Sequence, residues 1–407
     1  MRFSLPALTR TIISSAGRLL RRRPRTGSAK ASPAETGPYV SRIISDAMLL
    51  NEIPSPTERE TARTEYILQR LGEFGYTNCS LDEFGNVTAI VPAREDAEEH
   101  VLLFADIRCE DYSPIDSMTR LEPGRAVGKG IAESSIGAAG LMVLAEYLAR
   151  NQIQYDRPVI FLFTSFDPGE RHAQPLEMFL QSWKDRVRFA AHVRGIDLGR
   201  VEDKPLGTCK LSIKIRTEEH DVVRGPQPVS AIRVIASTAN RLGSIRWDSE
   251  NDTFLNIARV DAGVGFGWHA SEGMLELEVF SPSAGALDMA RKAVEATIRS
   301  SAEELGASVD IAVKAFLPPG DPQINAGLNA IVRGAHERLH IKSRAVSLPG
   351  YASFLNSLGI PAVTLGMTVG KKTFAEEYVE TRPLETGFLQ LLAFLDDCAG
   401  WREGAEE

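Results

Sequence analysis

The residues of this 407-residue chain that are best suited to chemistry are three carboxylates, a few cations and one isolated histidine. Asp106 closes the apolar run HVLLFAD, Glu133 lies in the glycine-bearing stretch GKGIAES, and Asp167 closes VIFLFTSFD. Carboxylates at the carboxyl ends of strands line the crevice where α/β proteins bind ligands. There they can hold a hard divalent ion together with water, or take a proton as a general base. The plainer reading is that they are solvated groups at strand ends. His172 and Glu170, on the loop after Asp167, read as solvated, and His220 in EEHD reads as a polar residue ending a strand. Cys109 follows Arg108, a neighbour that can lower a thiol pKa.

The elements that must position these groups are legible from periodicity. Helices are expected at Ser41–Asn51 and 58–74, the second with Ala62, Tyr66, Ile67 and Leu71 at helical spacing and Thr57 with Glu60 as a capping box. NVTAIVPA, HVLLFADI, PVIFLFTSF and FAAHVRGI read as strands, with helices at Ile136–Ala149 and Leu176–Trp183 between them. Such alternation predicts a mostly parallel α/β sheet. Near Thr208 the pattern changes. CKLSIKIRT, FLNIARVDAG and MLELEVFSP alternate as half-buried strands do, and helices follow at 228–242 and over ALDMARKAVEATIRSSAEEL. That predicts an α+β sandwich threaded into the first unit, which resumes with a helix at Asn325–Arg338, the strand GIPAVTLG and a helix at Leu384–Ala399. The expected division is an N-terminal basic segment and linker at 1–38, a first part of the α/β domain at 39–207, an insert at 208–317 and a second part at 318–403.

Composition narrows the class. A hydrophobic content of 43% is ordinary for a soluble globular protein. Residues 1–30 hold seven Arg and one Lys with no acid, so of the net charge of -8 the rest of the chain carries -16. An acidic body argues against nucleic acid as a partner. Cys79, Cys109, Cys209 and Cys398 show no CxxC spacing and read as reduced thiols of an intracellular protein. No apolar run approaches the roughly 20 residues that span a bilayer. Near the N-terminus Leu5, Leu8, Ile12, Ala16 and Leu19 share one helical face, opposite Arg10, Arg18 and Arg21. In a eukaryote this fits a mitochondrial transit peptide read by import machinery; in a bacterium it fits a helix on a membrane surface or partner. A basic tail is the third reading.

Five segments, in order and in register, resemble the co-catalytic zinc exopeptidase and amidohydrolase family of peptidase T, carboxypeptidase G and aminoacylase. LLFADIRCEDYSP resembles the strand ending in His-x-Asp, and GKGIAESSIGAAGLMVLAEYL the Gly-x-Gly-x-x-Asp segment with its helix. FLFTSFDPGE resembles the strand ending in Glu-Glu-Gly, HVRGIDLGRV the acid-Gly turn, and GIPAVTLGMTVGKKTFAEEYV the last strand and the loop with the final His. The resemblance runs from Tyr39 to Trp401. It implies a peptidase-like α/β domain with an inserted dimerisation (lid) domain, a pair of zinc ions and an amide-hydrolysing water.

The ligand positions depart from that pattern. The first His is Asp106, the orienting or bridging Asp is Arg108, and the bridging acid of the Gly-rich segment is Glu133. The general base is Asp167, the next ligand is Pro168, the acid before the fourth Gly is Arg194, and the last His is Lys372. Arg offers no lone pair, and Pro168 has no ligand atom. The substrate positions change too: Tyr351 stands at an acidic position and Gly267 at an Asn position, while Asn256 remains and His220 stands, as a catalytic remnant, where the family's His polarises the scissile carbonyl. Framework glycines such as Gly137 and Gly195 are kept. No metal and no other cofactor is expected, and Arg108, Arg194 and Lys372 are expected to neutralise Asp106, Glu133 and Asp167 where zinc would sit. The function implied is a non-catalytic pseudo-peptidase forming homodimers, or heterodimers with an active relative, through 208–317. The alternatives are a hydrolase of small peptides or N-acyl amino acids using an altered metal site, and a module binding a small carboxylate.

Overall fold

The structure is a computed structural model that describes residues 33–53, 61–108, 118–164, 174–221, 228–246, 252–373 and 375–400. The strand-like runs of the first unit form a six-stranded sheet in the order Ser80–Leu81, Val87–Val91, Val159–Thr164, His100–Asp106, Val187–Arg194, Ala362–Gly366. The last four are mutually parallel, and the two at the near edge run antiparallel. Only five residues separate the first two strands, too few for the crossover a parallel pair needs. The Asp82 carboxylate closes that turn by accepting from the Phe84 and Asn86 amides.

The central strands are apolar on both faces because both faces are covered. Val101, Leu103, Phe161 and Phe163 pack with Leu141, Leu144, Phe388 and Leu391 of the helices Ile136–Arg150 and Leu384–Ala399. Leu102, Phe104, Ile160 and Leu162 point the other way, onto Leu176, Leu180, Tyr351 and Leu355 of the helices Gln174–Trp183 and Tyr351–Ser357. This is the alternation of a strand read on its two faces.

The chain then builds a four-stranded antiparallel sheet in the order Phe254–Ala262, Glu272–Ser281, Gly207–Arg216, Ser308–Leu317. Leu211, Ile213, Leu275 and Leu277 form one core with Val234, Ile235, Leu242, Leu287, Val294 and Ile298 of two helices, Ala231–Ser244 and Ala284–Glu304. The fold is α/β with an inserted α+β unit, as the periodicity predicts.

Some elements differ from expectation. The first helix runs Pro33–Glu52, starting inside the stretch read as linker, where buried Thr36 donates to Glu385 at 2.8 Å. A tertiary contact outweighs the Pro- and Gly-rich composition. The helix at 228–242 starts at Ala231, with Ser230 as its cap. The edge strand Ser308–Leu317 and the short helix Tyr351–Ser357 are additional elements. Thr57 and Glu60 lie outside the described residues, as does the N-terminal amphipathic segment. Among the described residues, no helix is long and apolar enough to cross a membrane. Cys79, Cys209 and Cys398 are free thiols whose pKa burial raises, to about 11 for Cys209; Cys109 lies outside the described residues.

Candidate functional site

The carboxyl ends of the four parallel strands form one edge of the first sheet, and Asp106 and Arg194 stand on it. Asp106 ends its strand opposite Thr164, and Arg194 ends the next strand opposite Gly366. The turn that carries Glu133 faces the same edge, because Gly195 and Gly137 let the backbones meet. A Cβ on Gly137 would lie 2.5 Å from the Val193 carbonyl oxygen, and one on Gly195 would lie 2.5 Å from that of Ala132. The turn Ile131–Ser135 is π-helical: the Ser135 amide donates to the Gly130 carbonyl at 3.4 Å. Single π turns in helices concentrate at functional sites. The Glu133 side chain, Asp167, Pro168, Glu170 and His172 lie outside the described residues.

Asp106 meets two partners that the charges of the sequence do not announce. Tyr351 donates its hydroxyl proton to Oδ1, and His192 Nε2 lies 3.2 Å from Oδ2. His192 sits two residues before Arg194, on the same face of its strand, and its ring packs on Tyr351 at 4.2 Å and on Phe104 at 5.2 Å between centroids. Tyr351 and His192 are each 6% exposed, and Asp106, 18% exposed, meets them in a partly buried setting. Tyr351, which stands at the position of an acid in the resemblance, is brought to Asp106. From the sequence His192 reads only as part of a strand, and its place at i−2 from Arg194 is the signal that locates it.

The expected cluster of three cations on three carboxylates is corrected at two of its members. Arg194 reaches Asp197 at 3.4 Å, one turn along its own loop, and Asp106 takes the phenol and the imidazole described above. A local acid three residues away needs less side-chain ordering than a carboxylate on another strand. Arg108 is half-buried two residues beyond Asp106. Lys372 is half-buried in the strand Gly370–Lys372, which pairs antiparallel with Glu377–Glu380 in a small sheet with Arg125–Val127 and Arg120–Glu122. That sheet packs the last-motif loop against the turn carrying Glu133. Its Glu377, 3% exposed, accepts from the amides of Gly130 at 2.9 Å and Ala132 at 2.8 Å. A carboxylate from the chain itself thus occupies the anion-binding start of this helix.

The remaining substrate positions fall on the second sheet, on separate elements. Asn256 is exposed on the edge strand and donates to Glu278 at 3.1 Å; Gly267 lies in the loop beyond the other end of that strand, with φ of +83°. His220 lines an open cavity of about 830 Å³ with His269 and Trp268, the two imidazoles 6.4 Å apart. Among the described residues no group of three or more His, Cys, Asp or Glu is placed to hold a metal ion.

No family model matches the sequence, and no curated protein matches it by sequence. Solved structures do match. A tripeptidase from Staphylococcus aureus superposes with a TM-score of 0.71 at 18% identity, covering 87% of this chain and 97% of that one. The di-peptidase Dug1p from Saccharomyces cerevisiae gives 0.70 at 11% identity, over 89% and 96%. The YXEP protein of Bacillus subtilis, a dinuclear metal binding peptidase from the M20 family, gives 0.62 at 16% identity, over 88% and 98%. Both sheets of this chain therefore share the fold of these peptidases.

Proposed function

We propose that the chain is a non-catalytic relative of the zinc exopeptidases and amidohydrolases, acting as a binding or regulatory dimeric subunit. The observation that carries this reading is the engagement of Asp106. One oxygen takes the Tyr351 hydroxyl and the other lies against His192, so both are already engaged by protein groups. A metal bound there would displace a partner whose own polar atom is buried, and a buried donor left unmade costs about 1–3 kcal/mol. The donor set points the same way. Arg108, Arg194 and Lys372 bring positive charge, and Pro168 brings no lone pair, to positions where zinc needs imidazole or carboxylate. The residues do not fit a zinc pair.

The partner in this reading is a second copy of the chain or an active relative, docked through 208–317. Elemental analysis of the purified chain, with aminopeptidase, dipeptidase and deacylase assays, tests the reading. Substoichiometric zinc and no metal-dependent turnover are expected; stoichiometric zinc or metal-dependent hydrolysis would overturn it in favour of an altered hydrolase. Light scattering after gel filtration reads the dimer directly.

A further inference from the structure

Arg63 heads the buried stripe of the helix Thr61–Glu73, followed at i+4 and i+8 by Ile67 and Leu71. It is 1% exposed and is the largest fully buried side chain among the described residues. A helix of this pattern ordinarily presents an apolar residue there. A guanidinium keeps its charge at any ordinary pH, and burying it is costly unless its donors are used. Here Nε donates to the Ile53 carbonyl at 2.9 Å, and Nη1 donates to the Ile107 carbonyl at 3.1 Å and to Ser134 Oγ at 3.2 Å.

The two segments joined by Nη1 are the ones that matter to the site. Ile107 stands between Asp106 and Arg108, and Ser134 directly follows Glu133 in the π-helical turn. We propose that Arg63 is a resident cation beside this site: its guanidinium fixes the segment after Asp106 against the turn at Glu133. Arg63 is thus a positioning residue. This deepens the proposal of a metal-free site and rests on it.

Chemical rescue separates the charge of Arg63 from its bulk. Arg63→Ala is expected to lower the Tm by roughly 5–10 °C. Millimolar ethylguanidinium should restore more than half of that loss, while ethylurea, its neutral isostere, restores none. Equal rescue by both compounds would reduce Arg63 to a space filler, and no rescue of a folded variant would also overturn the proposal. If Arg63→Ala does not fold, Arg63→Lys is compared with Arg63→Met by hydrogen exchange. Faster exchange at residues 105–108 and 132–135 in Arg63→Met alone, with the second sheet unchanged, is the expected result. Identical exchange in the two variants would sink the assignment. Zinc content of the unaltered chain is measured separately, so a metal-bound protein refutes the proposed function without being confused with a failed rescue.

Discussion

The Tyr351 hydroxyl donates to the carboxylate of Asp106, joining two residues 245 positions apart: one at the start of a seven-residue helix, the other at the end of a central strand. Each residue supplies what the other needs under burial, a proton donor and an anionic acceptor. Tyr351→Phe should cost about 1–2 kcal/mol of stability, because it removes the donor to Oδ1 of a partly buried Asp106. Asp106→Asn should cost a similar amount, and the double variant less than the sum of the two. Urea unfolding of the four proteins measures the coupling; strict additivity would show that the pair contributes nothing as a pair.

Much of this arrangement could be read from the chain, and the exceptions share a cause. Runs such as HVLLFAD and VIFLFT declare buried strands, since few other environments tolerate continuous apolar residues, and Asp106 follows as a strand end. Tyr351 was locatable only as a substituted position in a resemblance. His192, Arg63 and Glu377 were not singled out, because a polar residue inside a periodic element reads as solvated unless its tertiary partner is known. Each is at least nine-tenths buried and bonds to groups far away in sequence: His192 to Asp106, Arg63 to Ile107 and Ser134, Glu377 to Gly130 and Ala132. Arg194 failed the opposite way. Its predicted long-range partner lost to Asp197, three residues on.

Glu377 gives a second prediction. Its two oxygens accept from two buried amides at the start of the Gly-rich turn, so Glu377→Ala leaves both donors unmade. A loss of about 2–5 kcal/mol is expected, with Glu377→Gln intermediate because its amide offers one acceptor oxygen. Thermal unfolding ranks the three proteins. A Gln variant as poor as Ala would mean that the negative charge, rather than the hydrogen bonds, holds the turn.

Backbone approach gives a third. At Gly137 the helix start lies so close to the neighbouring strand end that a methyl group would meet the Val193 carbonyl oxygen at 2.5 Å. Alanine is otherwise the better helix former, by about 1 kcal/mol. Gly137→Ala should nonetheless destabilise the protein by roughly 2–4 kcal/mol, since backbone on both sides must move. Gly72→Ala, in a helix where the added methyl meets nothing within 4 Å, is the control and should be neutral or slightly stabilising. Equal midpoints for the two variants in denaturant would contradict the close contact.

Acid sensitivity of an unusual sign is expected from the C-terminal helix. Burial pushes the Asp396 carboxyl from its ordinary 3.8 up to about 6, against the lowering effect of a hydrogen bond from Tyr155. The folded state therefore keeps a proton on Asp396 that the unfolded chain releases between pH 4 and 6. Stability from this group is present below the unfolded pKa and is lost as pH rises through the folded one. Asp396→Asn removes the ionisation and leaves an acceptor for Tyr155. Above pH 7 it should stabilise the protein by on the order of 2 kcal/mol relative to the parent, and the gain should fade towards zero at pH 4. Denaturation midpoints of the two proteins across pH 4–8 provide the comparison. A gap that is constant with pH would show that Asp396 does not titrate in this window, and that the buried end of the helix tolerates its charge.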